Sequence, residues 1–192
     1  MKKLLTVLLL TAILSGSAIA QAPPVSYVGL YCDEHHSSRC AAGAGSYEFL
    51  MWIWVLPGVD GLAAVEFAME YPAGVIPGEV ERNPIFSTQI GDLSSVDGVA
   101  TAASECLEDW TWVFRQTLHV TTSDPMEVRI KGSTIGEFVY ETPIHTSCEY
   151  GFPIYELHVL NYLYINYSGT EYECSTIGTE SKSWGAIKSL FR

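Results

Sequence analysis

The sequence predicts an all-β protein built as a single antiparallel β-sandwich of about eight or nine short strands. Three observations carry this. Apolar and polar residues alternate with a period of two in several segments. Turn residues punctuate those segments at regular intervals, and no long stretch has the 3.6-residue period of an amphipathic helix.

The first twenty residues stand apart. Lys2 and Lys3 precede an apolar run from Leu4 to Leu14, and Ala18, Ile19 and Ala20 form a small-x-small cleavage site. That is the pattern of a secretory signal peptide, residues 1–20, which predicts export across an inner membrane and an oxidising destination that is periplasmic, cell-surface or extracellular. Residues 21–177 are the expected sandwich domain, with a polar linker and short basic tail at 178–192. No later apolar run approaches the ~20 residues of a membrane span, so no transmembrane anchor is expected once the signal is cleaved.

Within the domain, Val25 to Cys32 reads as a first strand and Cys32 to Gly45 as a polar loop. Ser46 to Leu56 is apolar on both faces, with Tyr47, Phe49, Met51, Ile53 and Val55 on one and Leu50, Trp52, Trp54 and Leu56 on the other. Pro57 to Gly61 is turn chemistry. Ala64 to Tyr71 alternates as a half-exposed strand, with Val65, Phe67, Met69 and Tyr71 opposite Ala64, Glu66, Ala68 and Glu70. Gly74 to Asn83 reads as loop or edge, and Asp92 to Leu107 leaves room for a short helix. Trp110, Trp112, Phe114, Leu118 and Val120 form one apolar face, broken by Gln116. Thr122 to Pro125 reads as a hairpin turn into Met126 to Lys131. Short strands are expected at Phe138 to Tyr140, Tyr155 to Leu160 and Leu163 to Asn166.

Removing the signal leaves eight basic and 22 acidic residues, a net charge of −14. This surface argues against nucleic acid and anionic membrane as partners. Five cysteines remain: Cys32, Cys40, Cys106, Cys148 and Cys174. An odd count leaves one unpaired. Cys32–Cys40 would close a short loop and Cys148–Cys174 would link the ends of a late strand, leaving Cys106 over; Cys106–Cys148 is the rival pairing.

Motifs of chemistry are sparse. There is no Gly-x-Ser-x-Gly elbow, no His-Glu-x-x-His and no phosphate loop. Asp33, Glu34, His35 and His36 are the best local metal candidate, although adjacent histidines on an extended chain point apart. No cofactor is expected. Trp52 and Trp54, sharing a strand face with Glu48, are candidates for stacking on sugar or anchoring a protein. In the tail, Trp184, Ile187 and Leu190 with Phe191, Lys188 and Arg192 form a basic amphipathic segment suited to docking or sorting.

Gly29-Leu-Tyr31 before Asp33-Glu34 and a cysteine loop, then Leu62-x-x-Val65-Glu66-Phe67 with Tyr71-Pro72-x-Gly74, and the closing Trp184 to Arg192 stretch, resemble a family of exported bacterial β-sandwich proteins that share this tail. The resemblance implies a secreted module of immunoglobulin-like or cohesin-like type and implies no activity. The expected function is therefore a non-enzymatic extracellular or surface interaction module with a protein or polysaccharide partner. Carbohydrate binding through exposed aromatics is the alternative, and a secreted hydrolase with a dispersed active site is the third reading.

Overall fold

The computed structural model describes residues 25–135 and 139–167. Two sheets pack face to face, and the described residues contain no helix. Residues 1–20, read above as a signal peptide, Cys174 and the tail residues 184–192 lie outside the described residues.

Strands β1 (Tyr27–Tyr31), β3 (Tyr47–Leu56), β5 (Val75–Arg82), β8 (Thr111–Val120) and β12 (His158–Val159) form one sheet in the order β12-β1-β3-β8-β5. The second sheet contains β2 (Cys40–Ala41), β4 (Leu62–Glu70), β6 (Phe86–Gly91), β7 (Val99–Leu107), β9 (Met126–Lys131), β10 (Ile144–Thr146), β11 (Ile154–Glu156) and β13 (Leu163–Ile165). Its centre is β4. One edge of β4 pairs with β7, which pairs onward with β6. The other edge pairs with β10 through residues 64–66 and with β9 through residues 68–70. Most pairs are antiparallel; β1–β12 and β2–β13 are parallel and bring the late strands back beside the early ones.

The alternation read in β3 holds. Phe49, Met51, Ile53 and Val55 point into the core, and the even-numbered residues point outward. Facing them across the sandwich are Val65, Phe67 and Met69 of β4 with Val128 and Ile130 of β9. The polar interruption at Gln116 is satisfied inside: it accepts from Tyr71 Oη at 2.6 Å and donates to Ser94 Oγ at 3.0 Å. Burial pushes the Tyr71 phenol well above its ordinary range.

Four expectations are corrected. Val99–Leu107 is strand, not helix: its alanines lie between β4 and β6, where both edges are hydrogen-bonded, and pairing overrides local propensity. Met126–Lys131 does not form a hairpin with β8. Both edges of β8 are occupied, by β3 and β5, so the turn carries the chain into the other sheet. Val139 and Tyr140 are not in a strand. Trp112 does not share the core face of Phe114. A β-bulge leaves Val113 without a partner between the pairs Ile53–Phe114 and Trp54–Trp112, which reverses the side-chain parity. Val113 and Phe114 are therefore both buried, and Trp112 turns outward.

Cys106 is bonded to Cys148, the rival pairing, because the end of β7 and the turn after β10 meet beside Gly61. Cys32–Cys40 and Cys148–Cys174 do not form. Cys32 is a free thiol whose Sγ donates to the Cys40 carbonyl at 2.9 Å and contacts Ser38 Oγ at 3.2 Å. Cys40 is itself disulfide-bonded. Its backbone pairs with β13 in the second sheet, with Tyr164 opposite.

Candidate functional site

The predicted aromatic residues do meet on the outer face of the first sheet. The Trp52 and Trp54 rings lie 6.4 Å apart, and Trp112 meets Trp52 edge-on at 5.5 Å. Arg115 covers Trp52 with its guanidinium 5.3 Å from the ring, while Glu81 accepts from its Nε and a terminal nitrogen. The β1–β2 loop folds His36 onto Trp110 at 4.4 Å, nearly parallel, and onto Trp54 at 4.9 Å. Glu48 pairs with His119 at 2.9 Å, away from the indoles. The aromatic faces are thus taken up by the protein's own side chains, and Trp52 is only 9 % exposed. Trp54, Trp110 and Trp112 keep part of their surface exposed beside it.

The loop carrying His36 is organised by Asp33, whose carboxylate accepts from the backbone amides of His35, Ser37 and Ser38. Partial burial raises the Asp33 pKa, but these amide hydrogen bonds outweigh it and hold it below the ordinary value. The metal reading is corrected accordingly. Asp33 is spent on the loop, His35 points to Glu34, and His36 is wedged between indoles. Among the described residues, no three histidine, cysteine or acidic side chains are grouped to hold a metal ion.

A serine and a histidine also meet. Ser26 Oγ lies 3.0 Å from His145 Nε2 and accepts from Gly58 N–H at 2.9 Å. Both residues are buried, and the His145 ring also faces the backbone of Tyr155 and Glu156 on β11. A nucleophile would need an accessible Oγ and an oriented base. Ser26 lacks the first, being 1 % exposed, and the trio joins the start of β1, the β3–β4 turn and β10.

Burial pushes the His145 imidazole below the ordinary histidine range. Between its folded and unfolded values the unfolded chain binds the extra proton, so acidification favours unfolding. Stability is expected to fall as pH drops below about 6.5. His145→Gln should flatten that slope in melting curves taken between pH 7.5 and 5.

The second sheet has the open surface. Cross-strand register aligns its outward side chains in two rows over β11-β10-β4-β7-β6. One runs Glu156, Ile144, Glu66, Ala100, Ile90. The other runs Ile154, Thr146, Ala64, Ala102, Thr88. Residues opposite one another share a face, so these ten form one continuous patch. The alanines leave a groove, which Tyr140 borders. Ile90 and Ile154 stand on its two sides at 61 % and 55 % exposure. Beyond Ile154, the β10–β11 turn projects Tyr150, fully exposed, and Phe152. Phe152 holds a left-handed φ of 50°, unusual for a bulky residue. The turn is fastened at its base by Cys106–Cys148 and by the Ser147 amide donating to the Pro153 carbonyl.

Sequence reading missed this surface. Ala64 and Glu66 read as the ordinary solvent side of a half-buried strand. Their meaning appears only when β7 and β10 place more small and branched residues beside them.

No protein-family model and no curated protein matches the chain. Solved structures match it at full probability over most of their length. The sixth cohesin of Acetivibrio cellulolyticus scaffoldin B, solved in complex with a Cel5 dockerin mutant, aligns with a TM-score of 0.52 at 10% identity, covering 75% of this chain and 99% of that one. The fold is a cohesin β-sandwich. A type II cohesin from the A. cellulolyticus cellulosome gives a TM-score of 0.51 at 11% identity, covering 74% and 96%. A non-cellulosomal cohesin from the archaeon Archaeoglobus fulgidus gives 0.51 at 10%, covering 77% and 94%. The cohesin fold is thus matched from archaea to cellulosome scaffolds, at identities that speak to architecture alone.

Proposed function

We propose that this protein is a secreted, non-enzymatic recognition module that docks a protein partner on the outer face of β11-β10-β4-β7-β6. The observation that carries the reading is the patch itself: two register-aligned rows with an alanine floor and exposed isoleucines on both sides. The groove between the isoleucines is lined mainly by small and branched apolar side chains, and exposed apolar surface rimmed by polar residues marks interaction sites. A flat sheet face with small central residues lets another backbone approach closely, and the neighbouring Tyr150 and Phe152 supply aromatic anchors of the kind that dominate interfaces. The similar A. cellulolyticus cohesin was solved with a dockerin bound, which supports a protein as the partner. The signal sequence supports delivery outside the inner membrane.

The test is affinity capture from the secreted fraction of the producing cell, comparing the native protein with Ala100→Arg/Ala102→Arg. Both alanines face outward, so the variant should melt within a few degrees of the native protein. Proteins captured by the native protein should be lost from the variant and retained by Thr117→Arg on the opposite sheet. Equal capture by all three sinks the reading.

A further inference from the structure

The charge on this face restricts its partner further. The five strands that build it contain no lysine and no arginine; their charged residues are all glutamates. Two of these, Glu66 and Glu156, lie in the same cross-strand row with Ile144 between them. They are two strands apart, a separation of about 10 Å. Glu66 is half-buried in the groove and accepts from the buried Ser133 hydroxyl, and it makes no ion pair among the described residues. Ser133 uses one hydrogen bond to hold the carboxylate in place, and a cation brought by a partner can still reach it.

The surrounding loops repeat this bias. Glu149 lies in the projecting turn, and Asp60, Glu108 and Glu149 line one cleft beside the disulfide. Among the described residues, the arginines in ion pairs lie elsewhere, and one lysine borders the face. Arg115 pairs with Glu81 on the other sheet, and Arg129 pairs with Glu127 on β9. Lys131, opposite Ala68, borders the face at one end and makes no ion pair among the described residues.

Resting on the docking reading above, we propose that the occupant of this face is a cationic amphipathic segment of a partner protein. Its isoleucine-sized or aromatic side chains lie over Ala64, Ala100 and Ala102. One or more of its lysine or arginine side chains reach Glu66 and Glu156. The apolar contact supplies most of the affinity, and the two carboxylates set orientation and exclude acidic partners.

The experiment is selection from a random dodecapeptide library displayed on phage, against the immobilised mature protein. Enriched peptides are then synthesised and titrated by fluorescence anisotropy. Enriched sequences should combine lysine or arginine with bulky apolar residues. Their affinity should fall at least ~10-fold on Glu66→Gln/Glu156→Gln, and should weaken as salt rises from 50 to 500 mM, approximate values chosen to span the screening range. Neither glutamate is buried in the core, so a matched melting temperature confirms that each variant is folded. Peptides that bind this face, as judged by loss on Ala100→Arg/Ala102→Arg, but carry no cation or survive the glutamine changes overturn the charge proposal and leave the docking surface standing. Peptides indifferent to both variants, or no enrichment, overturn both.

Discussion

Replacing Cys106 and Cys148 together with alanine is expected to lower the folding free energy by about 4 kcal/mol, the chain-entropy value for a loop of this size. The bond spans 42 residues, from the end of β7 to the turn after β10, so it removes much freedom from the unfolded chain. Urea unfolding should show a lower midpoint, with a steeper slope as the released denatured chain expands. An unchanged midpoint would contradict the pairing. The same variant tests why Gly61 stands where it does. A Cβ there would lie 2.4 Å from Cys106 Sγ and 3.0 Å from Cys148 Sγ, on a residue with φ of 68°. Gly61→Ala should therefore cost less in the cysteine-free background than in the native one. The difference is a coupling energy between the β3–β4 turn and the disulfide. Function should follow stability here, because the disulfide fastens the turn that presents Tyr150 and Phe152.

The strands whose two faces differ in polarity were legible in the sequence. β4 and β9 show clean alternation, and β3, apolar on both faces, keeps its inward row of Phe49, Met51, Ile53 and Val55. What misled was non-local. The run Trp110 to Phe114 alternates in sequence, yet one unpaired residue at Val113 moves Trp112 to the opposite face. Such a bulge leaves no local mark, because Val113 is as apolar as its neighbours. The alanine-rich β7 has helical composition and becomes a strand because β4 and β6 satisfy both its edges. Disulfide pairing was open for the same reason: loop length favoured Cys32–Cys40, and tertiary proximity favoured Cys106–Cys148.

The two outer faces show opposite relations between sequence and site. Tryptophans attract attention as candidate ligand-binding residues, but those of the first sheet are covered by Arg115 and His36. Alanine, threonine and glutamate attract none, but on the second sheet they make the open groove. Exposed aromatic faces would have been costly in water, so the aromatic cluster acquires its own cover. Alanines keep the floor of the groove low, and the exposed apolar area lies with Ile90 and Ile154 on its two sides.

Phe67→Ala is expected to be the most damaging core substitution in β4, at about 3–5 kcal/mol. Phe67 is fully buried, and its ring meets that of Phe114 from the opposing sheet edge-on at 6.3 Å and 77°. This contact joins the two sheets at the middle of the sandwich, and aromatic pairs in that geometry add about 0.5–1.5 kcal/mol beyond burial. Phe114→Leu and Phe67→Leu keep most of the volume and should each cost less than ~1.5 kcal/mol. The double leucine variant should cost less than the sum of the two single changes, since each single change already breaks the ring pair. Chemical denaturation of the four proteins measures this directly, and strict additivity would mean that the rings contribute only their area. The outcome bears on the docking face as well. Glu66 immediately precedes Phe67 and points the other way, so the packing that seats Phe67 also holds the outward row level. A Phe67→Ala variant that still folds at low temperature should therefore bind partner peptides more weakly than its folded fraction alone would account for.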